Sequence, residues 1–283
     1  MMNHRDLMLR LGEIYDSGEA RAIIRLVLES SFNLSWTDVL GGAIQDMPEE
    51  HQAKLNDIIS RLEKGEPVQY VLSKANFCGR TFHVEPGVLI PRPETEQLVL
   101  ESTFHTLGKQ LKKQISVLDI GTGSGCIAIT IAANHPDWDV TGWDISDIAQ
   151  RVATDNAERL EVHNVQFEKV DILSPDINVS KQFDIIVSNP PYVCRNERKD
   201  MESIVADHEP ELALFVPDDD PLLFYKAITR FAKRALAPNG RLFFEINTSF
   251  NKEVEELLLD EGFKNVVVKK DEFDNYRIVG GSL

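Results

Sequence analysis

The segment Ile115-Ser116-Val117-Leu118-Asp119-Ile120 runs straight into Gly121-Thr122-Gly123-Ser124-Gly125, and a helical stretch from Cys126 to Ala133 follows. An apolar run of strand length that breaks on glycines and resumes as a helix is the opening unit of an open α/β sheet. The rest of the chain keeps that rhythm. Val140–Trp143, Val165–Val170 and Phe183–Ser188 read as strands, with a helix over Ser146–Leu160 after the second strand. Pro221–Leu236 reads as a helix, Pro238-Asn239-Gly240 as a turn and Arg241–Ile246 as a fifth strand. A helix over Lys252–Glu261 precedes Val266–Val268 and Tyr276–Val279, which pair as a final hairpin. Seven strands result, in a doubly wound sheet whose ligands bind at the carboxyl ends of strands beside the topological switch.

Two common uses of a glycine loop fit this one poorly. The dinucleotide fingerprint needs a glycine three residues after Gly123, where Cys126 stands, and the P-loop needs a lysine that does not follow Gly125. The spacing Asp-x-Gly-x-Gly-x-Gly, Asp119 to Gly125, resembles that of S-adenosylmethionine (SAM) methyltransferases. Asp144 ends the second strand, where a carboxylate can accept both hydrogen bonds of a ribose diol. Asp171-Ile172 ends the third, the place that flanks the adenine in the methyltransferase pattern. These positions are expected to converge in space.

Asn189-Pro190-Pro191-Tyr192 follows the fourth strand. Prolines lack an N–H and fix φ, so the ladder stops there and the turn's carbonyls become free acceptors. Asn189 adds an acceptor and two donors, and Tyr192 a flat face. Together they suit a planar NH₂ group, held by both hydrogens with its lone pair toward an electrophile. A plain proline-terminated turn is the alternative reading of these four residues alone.

Ahead of the sheet, Leu7, Leu11, Ile14 and Tyr15 share one helix face, and Leu55, Ile58, Ile59 and Leu62 another. Ala20–Ser30 reads as a helix between them, and Pro48-Glu49-Glu50 is a sound helix start. Residues 1–75 are therefore expected to form a small helical domain, of the kind that either stabilises its neighbour or recognises a partner, with partner recognition the role assigned to it. Residues 76–93 form a linking β-hairpin carried by Phe82, Val84, Val88 and Ile90, and residues 94–283 the methyltransferase domain. The stiff Pro91-Arg92-Pro93-Glu94-Thr95-Glu96 segment suggests a loop that faces substrate.

Lys and Arg total 30 against 46 Asp and Glu, a net charge of −16 over 283 residues. That is a poor match for a nucleic-acid backbone, so no direct nucleic-acid partner is expected. Cys78, Cys126 and Cys194 are too few and too scattered for a disulfide framework or a zinc knuckle, and the seven histidines lack ligand spacing. No metal is expected. No signal-peptide core surrounds His4-Arg5-Asp6 and no apolar run approaches membrane-spanning length, so the expected location is the cytoplasm.

Taken together, the helical region, hairpin, Pro-Arg-Pro-Glu-Thr-Glu, Asp-Ile-Gly-Thr-Gly-Ser-Gly, Asn-Pro-Pro-Tyr and His208-Glu209-Pro210 resemble the HemK/PrmC family of protein-(glutamine-N5) methyltransferases. The resemblance implies a seven-stranded SAM-dependent methyltransferase fold, α/β and Rossmann-like, acting on peptide chain release factors. It implies cofactor contacts at Gly121, Thr122, Gly123, Ser124, Gly125, Asp144, Asp171, Ile172 and Asn189. Asn189, Pro190, Pro191 and Tyr192 would bind the glutamine of the substrate's Gly-Gly-Gln motif, with Asn189, Pro190 and Tyr192 carrying catalysis. The chain departs from the family after the fifth strand, where Asn247 and Phe250 follow Glu245, and in the short Ser174–Lys181 connection. A methyltransferase for exocyclic amino groups of nucleic-acid bases and a non-enzymatic SAM-binding module are the alternatives. The first calls for a basic surface or a separate base-reading domain, the second for decay of one of the two motifs.

Overall fold

The computed structural model describes residues 3–107, 114–178 and 181–283. The chain divides into two units, one comprising residues up to Lys74 with Glu202–His208, the other Ala75–Met201 with Glu209–Leu283.

The first unit is helical. Helix α1 (His4–Leu11) starts at a capping box in which the Asn3 side chain accepts from Arg5 and Asp6 N–H while Asp6 accepts from Asn3 N–H. Asp16 caps α2 (Ser17–Phe32), Ser35 caps α3 (Trp36–Leu40), and Pro48 precedes α4 (Glu49–Leu62); α5 (Val68–Leu72) follows. Leu7, Leu11, Ile24, Leu28, Leu55 and Ile59 form its core, with Ile204 packed against it. Ile14 is 46% exposed, unlike its expected face-mates, because α1 stops at Leu11 and Ile14 falls in the turn beyond.

The second unit opens with a hairpin of β1 (Ala75–Phe77) and β2 (Arg80–Phe82). Its turn residues Cys78 and Gly79 both take positive φ, 48° and 72°, as a two-residue primed turn demands. The hairpin is shorter and earlier than expected: Val84, Val88 and Ile90 are buried, but in irregular chain after β2. Helix α6 (Pro93–Leu107) leads into β3 (Ser116–Ile120), α7 (Cys126–Asn134), β4 (Asp139–Asp144), α8 (Asp147–Arg159), β5 (Val165–Lys169) and β6 (Phe183–Ser188). Then come β7 (Val193–Cys194), α9 (Ser203–His208, within the helical unit), α10 (Glu211–Leu214), β8 (Phe215–Val216), α11 (Leu223–Ala235), β9 (Leu236–Glu245), α12 (Asn251–Asp260), β10 (Lys264–Lys270) and β11 (Tyr276–Ser282). The Ser174–Lys181 connection shows turns and no helix in its described part; residues 179–180 lie outside the described residues.

Seven strands form one sheet in the order β10-β11-β9-β6-β3-β4-β5, parallel except for β11, which is antiparallel to both neighbours. Successive residues face opposite sides. Val117, Val140, Ile185 and Val187 pack beneath Leu98, Ile127, Ile131 and Ala157 of α6–α8. Leu118, Ile120, Ile186 and Phe244 pack against Tyr225, Ile228, Val254 and Leu258 of α11 and α12. The expected turn at Pro238-Asn239-Gly240 is instead an irregularity inside β9. Leu236 pairs with Phe183 but Arg241 with Ile185, and Asn239 takes φ 63°. Turn-forming residues make a bulge here because β6 continues alongside and recovers the pairing on both sides.

The chain moves outward from β3 through β4 to β5, then returns to place β6 on the other side of β3. The topological switch thus lies between β3 and β6.

Candidate active site

The loop after β3 is built around Asp119. Its Oδ2 accepts the Thr122 hydroxyl (2.7 Å) and the Ala128 N–H (3.2 Å), tying the loop to the first turn of α7. Asp119 is fully buried, and burial pushes its carboxyl up to about 7; among the described residues its Oδ1 has no hydrogen-bond partner. Gly121 and Thr122 N–H both donate to the Trp143 carbonyl, so the loop is pinned to the end of β4. Gly125, at φ 80°, precedes α7, where an added Cβ would meet Ile129 Cδ1 at 2.8 Å and Ala153 Cβ at 3.0 Å. Only glycine fits both that backbone and that approach.

Asp144 closes the loop from the other side. Its Oδ2 accepts Gly123 N–H (2.9 Å) and its Oδ1 accepts Ser146 N–H (2.9 Å). Burial raises its carboxyl above the ordinary range, while the N–H groups of Ser146, Gly123 and Ile145 oppose the shift.

Across the switch, Ser188 donates its hydroxyl to the Ile120 carbonyl (2.6 Å), so Asn189 starts where Gly121 does. Asn189 Nδ2 donates to Thr95 Oγ1 (3.1 Å), Thr95 Oγ1 donates to Glu245 Oε2 (2.6 Å), and the Tyr192 hydroxyl donates to Glu245 Oε1 (3.2 Å). Glu245 is buried at the end of β9, which raises its carboxyl, while Thr95, Arg277 and Tyr192 pull it down. Burial likewise raises the Tyr192 hydroxyl, so it serves as a neutral donor. The segment at the start of α6 is thus wired throughout. Arg92 pairs with the buried Glu209, which also accepts Ile90 N–H (3.2 Å), and Glu96 accepts Cys78 N–H (2.7 Å) in the hairpin turn.

Between these loops lies a cleft of about 310 Å³. Of the residues expected at the site, Gly121, Gly123, Asp144, Asn189, Pro190 and Pro191 line it. Thr122 and Ser124 are buried in the loop's underside, and Gly125 supports α7. Asp171 is exposed and its Oδ1 accepts Leu173 N–H (2.9 Å), Ile172 packs toward the core beneath α11, and Val170 lines the cleft in their stead. Tyr192 also lies outside the lining and reaches the site through Glu245. The reading from sequence missed Thr95 as the partner of Asn189, and Glu245 as the partner of Thr95. It missed Ile145, Leu212 and Phe224 in the walls too, because an apolar wall residue reads in sequence as ordinary core.

Asp144 is the one charged side chain among the lining residues. A glycine turn at hydrogen-bonding distance from a carboxylate, with apolar walls of Ile145, Val170 and Phe224, fits a nucleoside carrying positive rather than polyphosphate charge. SAM has that composition, and Gly121, Gly123 and Asp144 are the residues that would hold it. Among the described residues, no group of three or more His, Cys, Asp or Glu is placed to hold a metal ion, and no helix is long and apolar enough to cross a membrane.

Comparison with known proteins agrees. A methyltransferase domain family matches residues 111–272, and the PrmC N-terminal domain family matches residues 6–72. The chain is 43% identical to the release factor glutamine methyltransferase of Bacteroides thetaiotaomicron over 269 residues, covering 95% of each chain. It is 38% identical to that of Streptococcus pneumoniae, covering 94% of this chain and 93% of the relative. A crystal structure of a methyltransferase from Pyrococcus furiosus superimposes with a TM-score of 0.52 at 17% identity, covering 83% of this chain and 98% of that one, which is a likeness of fold.

Proposed function

The chain belongs to the release factor glutamine methyltransferases, and from that premise we propose that it methylates the side-chain amide nitrogen of the Gly-Gly-Gln glutamine of peptide chain release factors. The observation that carries this reading is the adjacency of the two loops. Gly121 and Asn189 leave neighbouring parallel strands at the same level, one beside the donor's cradle and the other opening the amide shelf.

SAM, when bound, supplies an electrophilic methyl group on a sulfonium sulfur. The chain's own residues must then prepare a poor nucleophile, since an amide lone pair is delocalised into its carbonyl. Because Asn189 Nδ2 is committed to Thr95, Asn189 Oδ1 remains as an acceptor. Among the described residues no hydrogen bond is made to the Pro190 carbonyl oxygen. These two acceptors take the two hydrogens of the substrate NH₂, orient the nitrogen and disperse the positive charge it develops. Pro191 completes the shelf beside the amide plane, and Tyr192 supports it from outside the cleft lining through its hydrogen bond to Glu245. Much of the acceleration then comes from positioning and electrostatics rather than from a strong base.

In this reading the helical unit takes the role of partner recognition, as the match of residues 6–72 to the PrmC N-terminal domain family supports. Release factors act where translation does, so a cytoplasmic location goes with this reading. Incubation with methyl-labelled SAM tests the reading. Label should appear on a purified release factor and vanish when the Gly-Gly-Gln glutamine is changed. Label on nucleic acid, or label that survives that change, would overturn it.

A further inference from the structure

We propose that Thr95 and Glu245 are positioning residues that set the amide polarity of Asn189, and through it the enzyme's choice of a side-chain amide over a carboxylate. The inference rests on the glutamine reading above and adds a means of discrimination to it. Its basis is the direction of each hydrogen along the chain Asn189–Thr95–Glu245–Tyr192.

Glu245 is 1% exposed, and both its oxygens are occupied, one by the Thr95 hydroxyl at 2.6 Å and the other by the Tyr192 hydroxyl at 3.2 Å. An ionised carboxylate only accepts, so Thr95 must spend its single hydrogen on Glu245. Thr95 Oγ1 is then left with lone pairs, and the Asn189 atom 3.1 Å away has to be the donor nitrogen. Asn189 Oδ1 is thereby committed as an acceptor for substrate. Nothing in the Asn-Pro-Pro-Tyr turn itself would choose between the two orientations of the amide, because either could be met by solvent or substrate. The choice is made two hydrogen bonds away, at the end of β9. Burial works against the ionised state of Glu245, as does Glu94; the Thr95 and Tyr192 hydroxyls and Arg277 favour it.

With Oδ1 and the Pro190 carbonyl both accepting, the shelf matches an NH₂ and repels a carboxylate, which has nothing to donate. Sites built to hydrogen-bond a particular donor reject analogues that lack it, because the buried acceptors are left unpaired. Breaking the relay frees the Asn189 amide to turn over and offer its NH₂ to an oxygen. Selectivity would fall even though no residue that touches the substrate has changed.

The test compares affinities for a release factor carrying Gly-Gly-Gln and for the same factor with Gln→Glu, by calorimetry with S-adenosylhomocysteine present. The wild-type enzyme should prefer the glutamine form. In Thr95→Val, which keeps the shape but not the hydroxyl, the preference should drop by about 10-fold or more, and Thr95→Ser should restore it. Glu245→Gln, which lets the Thr95 hydroxyl turn, should also lower the preference and offers a second route should Thr95→Val fail to fold. A preference unchanged in the folded Thr95→Val and Glu245→Gln enzymes would overturn the inference. Absence of methyl transfer by the wild-type enzyme would instead strike the glutamine reading itself, and this inference with it.

Discussion

Ile120 and Ser188 are paired neighbours at the ends of the parallel strands β3 and β6, and the Ser188 hydroxyl donates to the Ile120 carbonyl at 2.6 Å. That carbonyl lies at the strand end, where the regular ladder gives out. A buried side-chain donor takes over and fixes the level at which the glycine loop and the Asn189 turn diverge. Ser188→Ala should therefore cost about 1 kcal/mol of stability, readable as a lowered denaturant midpoint with an unchanged m-value.

Asp144 bonds two backbone N–H groups with its two oxygens, an arrangement an amide cannot copy without turning a donor toward a donor. Asp144→Asn should weaken SAM binding by roughly 10-fold or more, measured by calorimetry. The pH dependence has a definite sign. Burial raises the Asp144 carboxyl, and only the ionised form accepts on both oxygens. Affinity should thus fall as pH drops, beginning above the ordinary aspartate range of about 3.9.

Gly125→Ala would place a Cβ 2.8 Å from Ile129 Cδ1 and 3.0 Å from Ala153 Cβ on a backbone at φ 80°. A destabilisation of about 1–3 kcal/mol is expected from strain and overpacking together. Chemical denaturation reads it directly.

The buried Asp119 carboxyl is raised from 3.8 to about 7. A raised folded-state value means that protonation favours the fold, so this stabilisation is full below 3.8 and is lost as pH rises through about 7. Asp119→Asn does not titrate. Its melting temperature relative to wild type should therefore climb between those two pH values, whatever constant offset the substitution brings. A flat difference would show that Asp119 stays ionised in the fold.

The parallel sheet and its final hairpin were legible in sequence because buried parallel strands read as continuous apolar runs between turn signals. The glycine loop, Asp144 and the Asn-Pro-Pro-Tyr turn were legible because each pairs an unusual residue type with a strand end. Local signals misled where tertiary pairing overrode them. Pro238-Asn239-Gly240 spells a turn, yet β6 holds it inside β9 as a bulge. At the end of the third strand the acid of Asp171 or its neighbouring backbone was expected to meet the adenine; Val170 lines the cleft there, and Asp171 Oδ1 accepts Leu173 N–H within its own loop. Thr95 and Glu245 could not be read as partners because 150 residues separate them, and nothing local distinguishes a buried glutamate from a strand-end surface one.

The most direct measurement of the central claim is the single-turnover rate of methyl transfer to a release factor by Asn189→Ala, with SAM and substrate both saturating. The expected result is a loss on the order of 10²-fold or more, because the variant removes an acceptor committed to the substrate NH₂ while leaving Asp144 and the glycine loop in place. A rate near that of the wild-type enzyme would contradict the account, since the Asn-Pro-Pro-Tyr turn would then not hold the reacting amide.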